Sequence, residues 1–377
     1  MTNIAVIGAG ASGLFLTKLL SESKNANIFV FEKNSKPGYK IKASGGGKAN
    51  ILNTQISGEC YNNPAFIANL LSRVNYETIR SEFQKMGLKM TVDEENRVYP
   101  STFFSQTVLD VLLYQLSEKV HFIYNYEVQH IQREKQQYQI NDYPTRFDKV
   151  VIASGSPAGM IGKNRKNFNL YLNDLNIIKE DFLASLVGFK IKNYPALLSG
   201  CRCKAICTLY QGKTLIHQEG GEVTFKDDGI SGIVILNLSA YYNRLKDKNC
   251  CSIHLNLMYD DNAYDIAGHW QRFHSFCGLI HPKLNRLYEQ RPFDLRNLVL
   301  EISEPYELEF AQVCHGGIVL DEIDEDFELK RHPNLFAIGE ALNIDGICGG
   351  YNLFFAWASA WVVAQKMRIC FFAAQGK

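Results

Sequence analysis

Apolar residues fall along the chain in blocks of different texture. IAVIG, Ile4 to Gly8, is an unbroken apolar run; small residues follow, then an amphipathic stretch from Leu14 to Leu20 and a second run, IFVFE, from Ile28 to Glu32. That order predicts a strand, a helix and a parallel strand. Phe104, Val108, Leu112 and Leu116 recur at helical spacing and predict a helix over 103–116, with a further short run from His121 to Val128. VQHIQRE and YQIND, on either side of the polar KQQ, read as a hairpin, and Asp148 to Gly155 as a buried strand ending in small residues.

From about residue 181 to 312 the texture changes to many short runs. Lys204 to Tyr210, Gly221 to Phe225 and Gly232 to Leu238 read as strands of an antiparallel barrel or sandwich, and roughly Ala240 to Tyr288 as a more helical middle. Leu335 to Glu340 returns to the first texture, followed by a glycine-rich turn, Asp345 to Asn352, and a terminal helix. An α/β domain that is interrupted and then resumed accounts for this order.

The first turn carries chemistry. Gly8, Ala9, Gly10, Ala11, Ser12 and Gly13 fit G-x-G-x-x-G between the first strand and the first helix. Gly8 permits the tight turn, Gly10 lets backbone approach a pyrophosphate, Gly13 lets the helix pack on the strand, and the helix N-terminus supplies amides and positive dipole. Glu32 follows at the end of the second strand, placed to accept hydrogen bonds from a ribose diol, with Lys33 beside it.

A second stretch, KIKASGGGKANILNT from Lys40 to Thr54, brackets three consecutive glycines with lysines. It is either a flexible connector or backbone that lies against something flat and anionic. A connector needs neither the lysines nor the ILN that follows, which favours the second reading. A dinucleotide turn, an acid and then a long glycine-rich loop is the pattern of FAD-binding two-dinucleotide folds. GSPAGMIG, residues 155–162, imitates a second nucleotide motif but lacks the G-x-G spacing. No dedicated NADPH domain is therefore expected, and NAD(P)H would act only as a transient electron donor.

Composition narrows the partners. The chain has 377 residues, 46% of them apolar, enough for more than one packed core. Its 40 basic and 39 acidic residues give a net charge of +1, and their even mixture argues against nucleic acid and anionic membrane as partners. MTNIAVIGAG lacks the features of a signal peptide, and the longest apolar stretch, Leu353 to Ala364, is too short to span a bilayer, which predicts a cytoplasmic protein. Ten scattered cysteines without a CxxC predict reduced thiols. Cys201 and Cys203 share a strand face, and His269 and His274 are five apart; neither pair has partners at ligand spacing, so no metal is expected.

Several blocks together resemble the HI0933-like family of flavoproteins, which includes aminoacetone oxidases and BaiN-type bile-acid flavoproteins. They are GAGASGL (Gly8 to Leu14), GYKIKASGGGKANILNT (Gly38 to Thr54), RVYPSTFFSQTVLDVL (Arg97 to Leu112), VIASGS (Val151 to Ser156) and the long terminal block from His315 to Ala364. Two places depart from the family pattern. Lys48 and Ala49 stand where members have Arg-Cys, and PAGMIGKNRKN replaces the loop that usually follows the VIASG strand. The resemblance implies a Rossmann-like two-dinucleotide FAD domain with an inserted β-barrel and a small helical subdomain set into the barrel.

With that resemblance the chain is expected to divide into residues 1–180, an FAD-binding first part; 181–312, a barrel with helices near 240–290; and 313–377, an FAD-binding second part. It is expected to hold noncovalent FAD and to move a hydride through flavin N5 between a small organic substrate and NAD(P)H or oxygen. The rival reading is a sensor or interaction module with structural FAD. The expected cofactor contacts beyond the first turn are Lys40, Ser44, Gly45, Gly46, Gly47 and Asn50, then Val128, Ala153, Ser154 and Gly155. Gly339, Glu340, Asp345, Gly349, Gly350, Tyr351, Asn352 and Leu353 complete the set in the terminal block, where a helix N-terminus aimed at the flavin would tune its redox behaviour. No catalytic acid or base is identified; His315, the one histidine in a motif region, is the candidate proton donor.

Overall fold

The computed structural model describes residues 1–23, 25–159 and 169–373. Two compact units emerge, one of residues 1–182 and 316–377 and the other of residues 183–315.

The first unit opens as the apolar runs require. β1 (Thr2–Ile7), α1 (Ala11–Leu20) and β2 (Ala26–Glu32) form a crossover unit whose strands pair in parallel, Ile4 opposite Ile28. α2 (Tyr39–Ala43) leads into the glycine loop and β3 (Leu52–Asn53); α3 (Pro64–Arg73) and α4 (Tyr76–Lys85) follow. β4 (Met90–Val92) and β5 (Arg97–Pro100) make a small antiparallel sheet with β3, and α5 (Ser105–Leu113) covers α1 and α2. β6 (Val120–Tyr124), the hairpin β7 (Ile131–Glu134) and β8 (Gln137–Ile140), β9 (Lys149–Ile152), the short α6 (Tyr171–Asp174) and β10 (Lys179–Ser185) complete its first segment.

The second unit is a closed barrel. Its strands are β11 (Phe189–Ile191), β12 (Arg202–Gln211), β13 (Thr214–Phe225) and β14 (Gly229–Ser231), with α7 (Ile233–Asn243) against β13, then β15 (Cys251–Asn256). α8 (Ile266–Phe273) and α9 (Pro282–Gln290) precede the last barrel strand, β16 (Leu298–Pro305). Around the barrel the order is β11, β14, β13, β12, β15, β16. The chain returns through β17 (Val313–Ile318), which pairs with β10, to β18 (Leu335–Ala337) and the long α10 (Tyr351–Ala373). The main sheet then reads β18, β9, β1, β2, β6, all parallel, so the C-terminal segment adds an edge strand beside the N-terminal ones.

Three expectations need correction. Gly232 to Leu238 is not a barrel strand but the start of α7. Val234, Ile235, Leu238 and Ala240 are all buried, so the helix is apolar around most of its surface and shows no 3.6-residue period. β15 lies inside the stretch read as helical, where its alternation CSIHLN is flanked by polar loops. The helix expected over 103–116 is shorter: Phe104 is its N-cap residue and Tyr114 leaves it in extended geometry. Of the stretch 155–162, the part from residue 160 lies outside the described residues.

Among the described residues no helix is long and apolar enough to cross a membrane. Asp326 ties the returning segment to two helices, accepting from Arg73 of α3 at 2.7 Å and from Lys366 of α10 at 2.6 Å. Burial alone would raise its carboxyl, but the hydrogen bonds from Lys366 and Arg73 outweigh it and hold it below the usual value. A carboxyl lowered by folding stabilises above the unfolded-state pKa and stops doing so as pH falls through the folded value. Asp326→Asn is therefore expected to lower Tm most near neutral pH. The gap to wild type should close in acid below the ordinary carboxylate range, in Tm measured against pH.

Candidate functional site: a glycine-lined cradle

The first turn is built by contact, not only by pattern. Gly8 has φ +105, and a Cβ there would lie 2.5 Å from the Ala153 carbonyl oxygen at the end of β9. A Cβ on Gly13 would lie 2.0 Å from the Gly8 carbonyl oxygen, so the helix can start only with no side chain at that point. Gly10 is different: a Cβ there meets nothing within 4 Å. α1 has no side-chain cap and no acid in its first turn, which leaves the amides around Ala11 and Ser12 to an anion from outside.

Glu32 is buried beside that turn. Its carboxylate accepts from the Ala9 amide at 2.9 Å, and from the Asn34 amide and side chain at 2.9 and 2.6 Å. Oε1 takes both bonds from Asn34, and Oε2, which accepts only from Ala9, keeps lone-pair capacity for a diol. Lys33 follows it on the exposed side, and Val128 is buried between β6 and β7. Ala153, Ser154 and Gly155 leave β9; Ser154 accepts from the buried Tyr171 hydroxyl at 2.9 Å, and Gly155 has φ +70.

Residues from the two ends of the chain meet here. A Cβ on Gly339 would come within 2.6 Å of the Ser12 hydroxyl, and the Gly339 amide donates to Ser359 of α10 at 3.0 Å. Lys40 Nζ lies 3.0 Å from Glu340 Oε2 and donates to the Ser156 carbonyl at 2.9 Å; the Ser156 hydroxyl donates to the same Glu340 oxygen at 3.1 Å. This pairing joins α2, the end of β9 and the segment after β18.

The glycine loop makes the next junction. Gly45, Gly46 and Gly47 all take left-handed φ, +56, +64 and +87, and Gly46 and Gly47 face open space. Ser44 caps α2 through its hydroxyl to Ile41, so its side chain is already engaged. With its amide oriented to satisfy both neighbours, Asn50 donates to the Leu52 carbonyl at 2.9 Å and accepts from the Gly350 amide at 3.2 Å. Asn53 donates to the Gly349 carbonyl at 2.9 Å, Tyr61 to the Tyr351 carbonyl at 2.8 Å, and Trp357 to the Ile51 carbonyl at 3.0 Å. A Cβ on Gly350 would sit 2.4 Å from the Leu52 carbonyl oxygen, so backbone meets backbone at that point.

The turn before α10 holds itself together. Asn352 donates to the Gly346 carbonyl and accepts from its amide, both at 2.8 Å. Asp345 is fully buried; its carbonyl accepts from the Asn62 amide at 3.0 Å and its amide donates to the Asn62 side-chain oxygen at 3.1 Å. Leu353 packs against the main core. His315 is half-buried on β17 and belongs to the barrel unit. Asn53, Tyr61, Ser156, Trp357 and Ser359 were not foreseen. None lies in a phosphate-binding motif, although Asn53, Ser156, Trp357 and Ser359 sit within the blocks that carry the family resemblance.

The HI0933-like protein Rossmann domain family matches residues 2–366. The chain belongs to this family. It is similar to the 3-dehydro-bile acid delta(4,6)-reductase of Clostridium scindens, 26% identical over 97% of this chain and 98% of that protein. It is also similar to the ribosomal RNA dihydrouridine synthase of Escherichia coli, 25% identical over 96% of this chain and 97% of that protein. Among solved structures it is similar to 3-ketosteroid delta1-dehydrogenase from Sterolibacterium denitrificans, with a TM-score of 0.47 and 12% identity over 97% of this chain and all of that one.

Proposed function

We propose that this family member is an FAD-dependent oxidoreductase that reduces a carbon–carbon double bond conjugated to a ring carbonyl, with NAD(P)H as electron source. The observation that carries it is the meeting of the first turn, the 44–54 loop and the 339–352 segment through Ser12–Gly339, Lys40–Glu340 and Asn50–Gly350. Bare backbone at Gly10, Gly46 and Gly47 leaves space there for a long, flat, anionic cofactor. The names of the two relatives support the reaction class: one is a delta(4,6)-reductase of a 3-dehydro-bile acid and the other a synthase of dihydrouridine.

FAD supplies a hydride through its N5 when bound. Gly10 and the uncapped start of α1 would hold the pyrophosphate, and Glu32 would orient the adenosine ribose through the capacity left on Oε2. Glu340 keeps one carboxylate oxygen on Lys40 and Ser156 and offers the other to a ribityl hydroxyl. The Gly349–Gly350 entry to α10 would offer its helix N-terminus to negative charge on a bound flavin, a stabilisation on the order of 1 kcal/mol. The overall balance is one hydride and one proton added across the double bond, with NAD(P)H oxidised to NAD(P)+.

Purification tests the reading. The expected result is a yellow protein whose flavin band bleaches with NADH or NADPH without oxygen and recovers on adding 2-cyclohexen-1-one as a probe. A colourless protein that takes up no FAD overturns it. A yellow protein that neither nucleotide reduces overturns the enzymatic part and leaves the sensor module.

A further inference from the structure

Arg244, in the barrel unit, is a charged group that the fold positions and leaves without a counter-charge. α7 lies along β13 with one face toward the strand. Val234 meets Gly221, where a Cβ would come within 3.2 Å of the valine, and Asn237 Nδ2 donates to both carboxylate oxygens of Glu219 at 3.0 Å. Tyr241 stacks on His217, with ring centres 3.8 Å apart and planes 11° from parallel. Steps of three and four residues along the helix thus match steps of two along the strand, which is why these side chains pair in order. Arg244 ends the row, its guanidinium carbon 4.6 Å from the centre of the Tyr241 ring. His217 already covers one face of that ring at stacking distance, so the guanidinium takes the other.

One edge of this guanidinium is unanswered. Nε and Nη2 form its side-on fork, and both are shielded from solvent with no hydrogen-bond partner. Among the described residues no carboxylate stands at ion-pair distance from Arg244. Glu219, the acid on the same face, is held by Asn237 and lies 4.0 Å from the His217 ring nitrogen. The Tyr241 ring answers the charge but supplies no oxygen to either donor. Shielded donors on a cation are costly to leave unmade, so two of them held side by side point to an acceptor from outside the chain.

The fork also selects the acceptor. A carboxylate presents two oxygens in one plane at the spacing of the two N–H groups, and it brings a single negative charge. Burial, and then Arg244, lower the His217 imidazole and hold it toward its neutral form, so it adds no second cation to the row. A phosphate dianion would meet one guanidinium with the Glu219 carboxyl on the same face, which leaves it undercompensated. Arg244 as a whole is half-buried, and Lys246, Asp247 and Asn249 beyond it are exposed, so the approach is from the end of the helix.

We propose that the barrel unit carries a binding site for a small monocarboxylate, seated on Nε and Nη2 of Arg244, with the guanidinium positioned by the Tyr241 and His217 rings. The site is complete within that unit and draws nothing from the flavin reading. Binding there forms and breaks no covalent bond; it gives the fork its acceptor and so stabilises the packing of α7 on β13.

The test is thermal unfolding of the full chain at fixed ionic strength with benzoate as the probe, against benzamide, which has the same shape without the charge, and inorganic phosphate. Benzoate is expected to raise Tm saturably, by about 3 °C once it stands about tenfold above its half-saturating concentration. Arg244→Met keeps an unbranched stem against the Tyr241 ring and removes the unpaired donors. Without probe its Tm should equal or exceed that of the wild type, and the benzoate shift should vanish. A merely structural arginine would instead lower the Tm of this variant in the absence of probe. Arg244→Lys, which keeps the cation but not the fork, should need at least about tenfold more benzoate for the same shift. No saturable shift with benzoate, an equal shift with benzamide or phosphate, or a wild-type benzoate response in either variant overturns the proposal.

Discussion

Gly13→Ala is expected to yield a chain that is destabilised and purifies without flavin. The methyl group would stand 2.0 Å from the Gly8 carbonyl oxygen, and neither atom sits on a flexible side chain. Gly8 has little room to retreat, because the position a Cβ would take on it lies 2.5 Å from the Ala153 carbonyl oxygen just after β9. Overpacking at a backbone contact of this kind costs about 3 kcal/mol, which lowers Tm by about 10 °C for a unit of this size. Gly10→Ala is the control that separates folding from binding. Gly10 has φ −85, which alanine adopts freely, and a Cβ there meets nothing. This variant should keep wild-type Tm and lose flavin, because the methyl would occupy the space the pyrophosphate needs. Flavin retained at wild-type affinity in Gly10→Ala would show that the turn is structural only.

The first turn was legible because its requirements are short-range. Gly8, Gly13 and Glu32 lie within 25 residues of one another, and each answers a steric or hydrogen-bonding demand that the sequence can state locally. The parallel strands were legible for the same reason: β1, β2 and β9 are buried on both faces and read as continuous apolar runs. α7 was not, since a helix buried on most sides has the same apolar density as a strand.

The pairings inside the cradle were hidden by distance along the chain. Lys40 and Glu340 each stood out as candidates, yet nothing in either motif says that they bind each other across 300 residues. Asn50 was expected to be a cofactor contact, and its amide is engaged with Leu52 and Gly350. Asn352 likewise serves Gly346. Such side chains shape the loops that present bare backbone, so their polar groups are used in building the cradle.

Trp357→Ala is expected to have the largest effect on stability of any single change in α10. Its indole is fully buried, 5.3 Å from Phe15 of α1 and 5.2 Å from Phe83 of α4 between ring centres, so one side chain joins three helices. Truncating a buried tryptophan leaves a cavity that costs about 3 to 5 kcal/mol. The indole also donates to the Ile51 carbonyl, in the loop that carries Asn50 and Asn53 onto the Gly349–Gly350 turn. Trp357→Phe isolates that second role: it keeps most of the packing but leaves the carbonyl without its donor in a dry site, at about 2 kcal/mol. If the hydrogen bond holds the loop in register, Trp357→Phe should weaken flavin binding by more than its fall in Tm explains, measured by FAD titration of the refolded apoprotein. Flavin affinity unchanged in Trp357→Phe would mean that Asn50, Asn53 and Tyr61 hold the loop without the indole.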